Sequence, residues 1–242
     1  MTKALVINKG DLGSNLLNSY KFDHLFTSEN FHLAREQSFT ELLFAALPDC
    51  KERANKYSQE DNDIIENMKD ILRTIKIDRI IVISTIDVYN DTDRELDEDY
   101  DCDWFINHPY GNHRYMFEYF IKKTFENHHI IRLPYIFDKI NILNILSFNT
   151  NISIDSMLQF YDIKWLNDDI DVIIHNNIKL CNFVTNHIRL KNILDMFNID
   201  YLPSLTVTQK LYYNIKTKHF SLFKSKIKGF IRDQPKLTRI YT

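Results

Sequence analysis

The sequence predicts an α/β fold: a doubly wound parallel sheet with helices on both faces and a small C-terminal lobe. Three observations carry this. An apolar run, Ala4-Leu5-Val6-Ile7, passes straight into Asn8-Lys9-Gly10-Asp11-Leu12-Gly13. Strand-like runs then alternate with stretches of helical spacing, the pattern of βαβ units. Finally, Arg79-Ile80-Ile81-Val82-Ile83-Ser84 is continuous and β-branched, as a strand covered on both faces requires.

The elements follow in order. Ala4–Ile7 reads as a buried strand, and Leu12 to Tyr20 as a helix. His24-Leu25-Phe26-Thr27 is a second strand; Glu41 to Ala46 is a third, ended by Pro48. Residues 59–76 carry helical spacing through Ile64, Ile65, Met68, Ile71, Leu72 and Ile75. The strand at 79–84 comes next. Residues 90–108 hold six Asp and read as a solvated surface connector. Residues 110–127 form an aromatic amphipathic helix, with Tyr115, Phe117, Tyr119, Phe120 and Phe125 as core or dimer face. His128-His129 opens a strand that runs to Leu133 and is closed by Pro134. The alternation loosens after residue 135. Residues 164–175 and 188–198 still read as helices, with a strand at Leu180 to Val184 between them. Beyond 200 the chain is basic and aromatic without clear periodicity. Lys216, Lys218, Lys224, Lys226 and Lys228 there read as a solvated face. Trp104 and Trp165 read as packing residues.

Composition narrows the function classes. Net charge is −3 over 242 residues, with no basic footprint for nucleic acid. No apolar stretch reaches the ~18 residues of a membrane-spanning helix, and no signal-peptide core follows Met1. The three cysteines, Cys50, Cys102 and Cys181, are odd in number and widely spaced. They form neither a disulfide framework nor a metal knuckle, which points to a reducing, cytoplasmic setting. Nine histidines show no pair at ligand spacing, so no metal site is expected.

Glycine is scarce: four residues in the whole chain, against about 7% on average. Two of them, Gly10 and Gly13, stand where a strand turns tightly into a helix. Such a turn aims backbone N–H groups at a pyrophosphate. In the G-x-G-x-x-G pattern, Asn8 takes the first glycine position, and asparagine is the best non-glycine visitor to the left-handed region. Asn8, Gly10, Asp11, Leu12 and Gly13 are therefore candidate dinucleotide contacts, with Ala45 at the end of the third strand. This makes the fold a Rossmann type. Residues 1–135 would be the NAD(P)-binding core. Residues 136–242 would form one structural unit with it. The ribose partner falls near Ser28 and Glu29. Glu29 would favour NAD; Ser28 with a basic neighbour such as Arg35 would accept the 2′-phosphate of NADP. The residues leave that choice open.

A second constellation lies further on. Ser84-Thr85-Ile86-Asp87-Val88-Tyr89 ends the strongest strand, and Pro109-Tyr110-Gly111-Asn112-His113-Arg114 opens the aromatic helix. A tyrosine hydroxyl can exchange a proton with a substrate oxygen. A cation one helical turn away favours its phenolate. Thr85 can orient the substrate oxygen, and a nicotinamide would supply hydride.

With these pieces in order over roughly residues 1–200, the chain resembles an extended short-chain dehydrogenase/reductase of the NAD-dependent epimerase/dehydratase superfamily. Arg132-Leu133-Pro134, Leu158 to Ile163 and Cys181-Asn182-Phe183 add to the resemblance. It implies that Gly10 and Gly13 cradle the pyrophosphate, Thr85 fills the catalytic Ser/Thr place, and Tyr110 is the catalytic tyrosine. Asp87 falls where the sugar-nucleotide dehydratases keep an acidic base. Arg114 falls where the family has lysine, in contact with the cofactor ribose; its planar fork differs from a compact ammonium. The resemblance further implies a reduced substrate lobe at residues 136–242, whose returning elements complete the sheet. It also implies a sugar nucleotide or related hydroxyl/carbonyl substrate, nucleotide-sugar metabolism, and a homodimer. His113 beside the site is a possible proton relay. Asn8, Arg114 and the short lobe also admit an alternative, a catalytically degenerate NAD(P)-binding regulatory or interaction protein on the same fold.

Overall fold

In the computed structural model, residues 2–8, 10–19, 21–102, 106–137, 139–148, 152–200, 210–219 and 222 are described. Trp104, Lys224, Lys226 and Lys228, singled out above, lie outside them. The elements run β1 (Lys3–Ile7), α1 (Asp11–Ser19), β2 (His24–Thr27), β3 (Ser38–Phe39), β4 (Glu41–Ala45), α2 (Lys51–Lys56), α3 (Ser58–Leu72), β5 (Lys76–Ile77) and β6 (Ile80–Thr85). They continue with α4 (Pro109–Thr124), β7 (His128–Leu133), β8 (Tyr135–Ile136), α5 (Lys139–Phe148), β9 (Met157–Leu158) and β10 (Phe160–Tyr161). The last are α6 (Leu166–His175), β11 (Leu180–Asn182), β12 (Ile188–Arg189) and α7 (Leu190–Phe197).

The chain divides into two compact units. The first comprises Met1–Asn90, Asp101–Arg132 and Leu166–Cys181; the second comprises Asp91–Tyr100, Leu133–Trp165 and Asn182–Thr242. The sequence drew a single boundary after residue 135. The chain crosses between the units several times: α6 and β11 return to the first, and β11 takes the edge of its sheet.

That sheet has the order β11-β7-β6-β4-β1-β2. The β1–β2, β1–β4 and β4–β6 pairings are all parallel. Parallel strands buried on both faces must be apolar throughout, and β4 is buried at every position. Alternate residues serve opposite faces. Ala4, Val6, Leu42, Phe44, Ile80 and Val82 share one core with Ile65, Met68, Phe117 and Ile121 of α3 and α4. Leu5, Leu43, Ile81 and Ile83, which point the other way, are buried too. Both faces are therefore covered, as the sequence predicts.

The strand order runs outward from β1 in both directions: β2 lies on one side, and β4, β6, β7 and β11 on the other. The switch falls between β1 and β4. In open α/β sheets this is where a crevice opens beyond the carboxyl ends of the strands. Short α2, missing from the sequence reading, begins just past β4 on the same side.

The second unit holds a parallel pair, β8–β10, and an antiparallel pair, β9–β12. Here the surface-connector expectation for the acidic segment is corrected. Leu96 pairs with Ile215 in a parallel bridge. Glu98 is buried and accepts from Asn182 N, Thr217 Oγ1 and Lys218 N at 2.7, 2.7 and 3.0 Å. A buried carboxylate needs such donors to replace water. Composition shows the charge of the segment but not that its partners lie 84 to 120 residues away. The solvated-face expectation for the tail changes in part as well: Lys216 N donates to Leu96 O at 2.7 Å, and Lys218 Nζ pairs with Asp99. Gln159 secures the same segment, donating to Ile215 O at 2.7 Å and accepting from Ile215 N at 2.9 Å.

Candidate functional site

Three loops converge at the carboxyl ends of β1, β4 and β6. The first is the turn into α1. Gly10 O accepts from Ser14 N at 3.0 Å and so starts the helix at Asp11 and Leu12. A Cβ on Gly13 would come within 2.6 Å of Asn8 O and 3.1 Å of Ile7 Cδ1. Glycine there allows the helix to sit directly on the strand it follows. A Cβ on Gly10 would meet nothing within 4 Å, so the space before the turn is open. An open front and a close-packed back suit a pyrophosphate cradle. Ser28 N donates to Ile7 O at 3.3 Å, which brings the end of β2 alongside. Ser28 and Glu29 are both exposed there. Arg35 is not brought to them: its Nη1 donates to Asp70 O at 3.5 Å, toward α3.

The second loop, Ala46 to Lys51, leaves β4 after buried Ala45 and is held from three sides. Asn8 Nδ2 donates to Ala46 O at 3.0 Å and Leu47 O at 2.9 Å. Arg114 Nη2 donates to Pro48 O. Lys51 Nζ lies 2.7 Å from Asp87 Oδ1, with both side chains partly exposed.

The third loop is the 3₁₀ turn Ile86–Val88 after β6. Thr85 caps it, Oγ1 accepting from Asp87 N at 3.1 Å. Asn107 Nδ2 donates to Asp87 O and Val88 O, each at 3.0 Å, clamping the turn to the start of α4. Gly111 then passes so close to Asp87 O that no side chain fits. His108 caps α4 ahead of Pro109: its Nδ1 accepts from Gly111 N at 3.0 Å. The ring is neutral when it does so. Burial, then the Lys51 charge, holds its pKa below the usual histidine value despite Asp87.

Thr85, Asp87, Tyr110 and Arg114 thus belong to one neighbourhood, but their states differ from the expectation. Arg114 is 1% exposed and forks onto Asp61 of α3, with Nη2 2.9 Å from Oδ1 and Nη1 on Oδ2. Its guanidinium also lies 3.9 Å from the Tyr110 ring centroid. Asp61 has a second partner, His113 Nδ1, at 2.7 Å. Burial pushes the Asp61 carboxyl up; the bonds and charges of His113 and Arg114 outweigh it and hold it below the usual range. Tyr110 goes the opposite way. Burial pushes its phenol up to about 12; Arg114 and Lys51 oppose this, and Asp87 and Asp49 reinforce it. The expected lowering by Arg114 is present but loses to desolvation.

The sequence missed Asp61, Lys51, His108 and Asn107. His108-Pro109 before a helical run is a cap signal that was open to reading. Asp61 and Lys51 offer none, because their partners are set by tertiary packing. His113 faces Asp61 rather than a reacting group. Below the site, Ser84 Oγ donates to Glu118 Oε1 at 2.6 Å, and Arg132 Nη2 donates to Glu118 Oε2 at 2.6 Å. This buried network ties β6, α4 and β7 together. Among the described residues no group of three metal-ligating side chains occurs, and no helix is long and apolar enough to cross a membrane.

No protein-family model matches the chain, and no curated protein matches it significantly. Solved structures do. A dTDP-4-dehydrorhamnose reductase from Bacillus anthracis, in complex with NADP, superposes with a TM-score of 0.66 at 16% identity, covering 96% of this chain and 100% of that one. A UDP-N-acetylglucosamine 4-epimerase from Methanobrevibacter ruminantium gives 0.67 at 12% identity, covering 100% and 99%. A short-chain dehydrogenase/reductase superfamily protein from Agrobacterium tumefaciens with bound NAD gives 0.65 at 11%, covering 98% and 99%. At these identities the likeness establishes the fold: a mostly parallel α/β sheet of the Rossmann kind.

Proposed function

We propose that this chain binds NAD(P) in the crevice between the β1–α1 turn and the Ala46–Lys51 loop, and reduces a carbonyl on a sugar nucleotide or similar substrate. One observation carries the reading: the cradle at Gly10–Gly13 and the pairing of the Asp87 turn with the start of α4 at Tyr110 both lie at the carboxyl ends of the same parallel strands. The structural likeness to NAD(P)-linked reductases and epimerases of nucleotide sugars supports it. Gly10, Asp11, Leu12 and Gly13 would hold the pyrophosphate, with Asn8 at the mouth of the turn and Ser28 and Ala45 beside it. NAD and NADP both remain candidates. The bound nicotinamide would supply hydride.

The protonation of Tyr110 supports the reductive reading. A phenol near pKa 12 is protonated at neutral pH. It can give a proton to the oxygen of a carbonyl being reduced. It is poorly suited to removing one from a hydroxyl, the step that oxidation, and hence epimerisation, needs first. Thr85 would orient the substrate oxygen. Arg114 and Lys51 would favour the phenolate left behind, and solvent would return the proton. Arg114 is committed to Asp61 and Pro48, so it serves Tyr110 rather than reaching a ribose. The homodimer expectation fits Ile64 and Tyr119, which leave large apolar groups exposed on α3 and α4.

A second reading, cofactor binding without turnover, is favoured by the same raised phenol and buried Arg114. One experiment addresses both. NADPH and NADH are titrated by fluorescence, and their oxidation at 340 nm is followed with 4-dehydro sugar nucleotides. Tyr110→Phe is expected to keep dinucleotide affinity and to cut turnover at least ~100-fold. Unchanged turnover in that variant would remove Tyr110 from the chemistry. Binding by the wild type with no turnover on any such ketone would favour the second reading.

A further inference from the structure

Asn8 stands where the fingerprint has glycine, yet its side chain is engaged. Both its bonds go to the loop leaving β4, to Ala46 O and Leu47 O. Its own carbonyl is fixed from the other side, against the face of Gly13 that no side chain could occupy. One residue therefore spans the switch between β1 and β4, its backbone set by α1 and its amide set by the opposite wall. That wall is anchored further along by Arg114 at Pro48 O and by the Lys51–Asp87 ion pair.

We propose that Asn8 is a positioning residue that fixes the opening between the two walls of the dinucleotide crevice before the ligand arrives. The inference rests on reading that crevice as the cofactor cleft. Its physical basis is preorganisation: a wall already held in its bound place does not cost ordering entropy when the ligand binds. A glycine at position 8 would complete the fingerprint but lose both bonds and gain backbone freedom. A tolerated glycine substitute and a working bridge thus predict opposite signs for one substitution.

The test uses the full chain with NADPH and NADH as probes. Wild type, Asn8→Gly and Asn8→Asp are compared, each shown to be folded by circular dichroism at the assay temperature. Aspartate keeps the shape of the side chain but faces two carbonyls with no N–H to give. Both variants are expected to bind the preferred dinucleotide about tenfold more weakly, the worth of two ordinary hydrogen bonds. In the ligand-free protein, amide hydrogen exchange at residues 46–51 should rise in both, while the buried strands β4 and β6 stay protected. Equal or tighter binding by Asn8→Gly overturns the proposal, as does unchanged exchange at 46–51. If the wild type binds neither dinucleotide, the cofactor reading itself fails. If the wild type binds and Asn8→Gly binds as well, only the role of Asn8 fails.

Discussion

Asp61 shows how one side chain organises a site it does not enter. It receives the whole fork of Arg114 and the ring of His113, and only 5% of it is exposed. Without Asp61, Arg114 would be a buried cation with no counter-charge. Breaking a buried pair from one side costs about 3–5 kcal/mol. Asp61→Asn should therefore lower unfolding stability by that amount in urea melts, with a loss below about 1 kcal/mol ruling out the lock. Removing both charges, as Asp61→Asn with Arg114→Met, should recover much of the loss. The contrast with the sequence is instructive at this scale. The i+4 spacing of Tyr110 and Arg114 was legible, and the guanidinium lies over the Tyr110 ring. The state of the phenol was not, because burial is a property of the packed site and outweighs the nearby charge.

Among the elements, α4 carries the most information. Its start is specified three ways: by the His108 cap, by Pro109 at its first position, and by Gly111 where Asp87 O leaves no room. Gly111→Ala makes the distinction measurable. Helix propensity alone would stabilise the variant by about 1 kcal/mol. The clash with the Asp87 carbonyl should instead destabilise it by about 1–3 kcal/mol, since backbone must move. A urea midpoint above wild type would contradict the packing described. The long elements were readable because periodicity reports burial over many residues: β1, β4, β6, α3, α4 and β7 fall close to their expected bounds. Short α2, α5 and the two-residue strands were not. α2 and the two-residue strands are too short to show a period, and α5 is apolar nearly all round, so no single stripe marks it.

The molecule as a whole should respond to acid through its histidines. His108, His128, His129 and His187 all have pKa values pushed down, in each case first by burial. Each then binds a proton more readily unfolded than folded. Their contribution is intact above the unfolded value, about 6.5, and is lost as pH falls through the lower folded values. Asp61, also lowered, adds a further loss only at more acidic pH, below the model-peptide carboxylate value. Thermal midpoints should hold near neutrality and fall steadily from about pH 6.5 downward. A flat profile between pH 7 and 5 would show that these rings are not buried as described.

The clasp around Glu98 has a consequence for the order in which the protein is made. Thr217 Oγ1 reaches a carboxylate 119 positions earlier in the chain. While the ribosome is still reading the middle of the message, residues 92–99 have been synthesised but their partners have not. A contact of such long range closes late, because the intervening loop must first be brought together. The emerging chain can set its central strands early, but the acidic segment must wait in water, its charges keeping it soluble, until the stretch around Ile215 emerges to meet it.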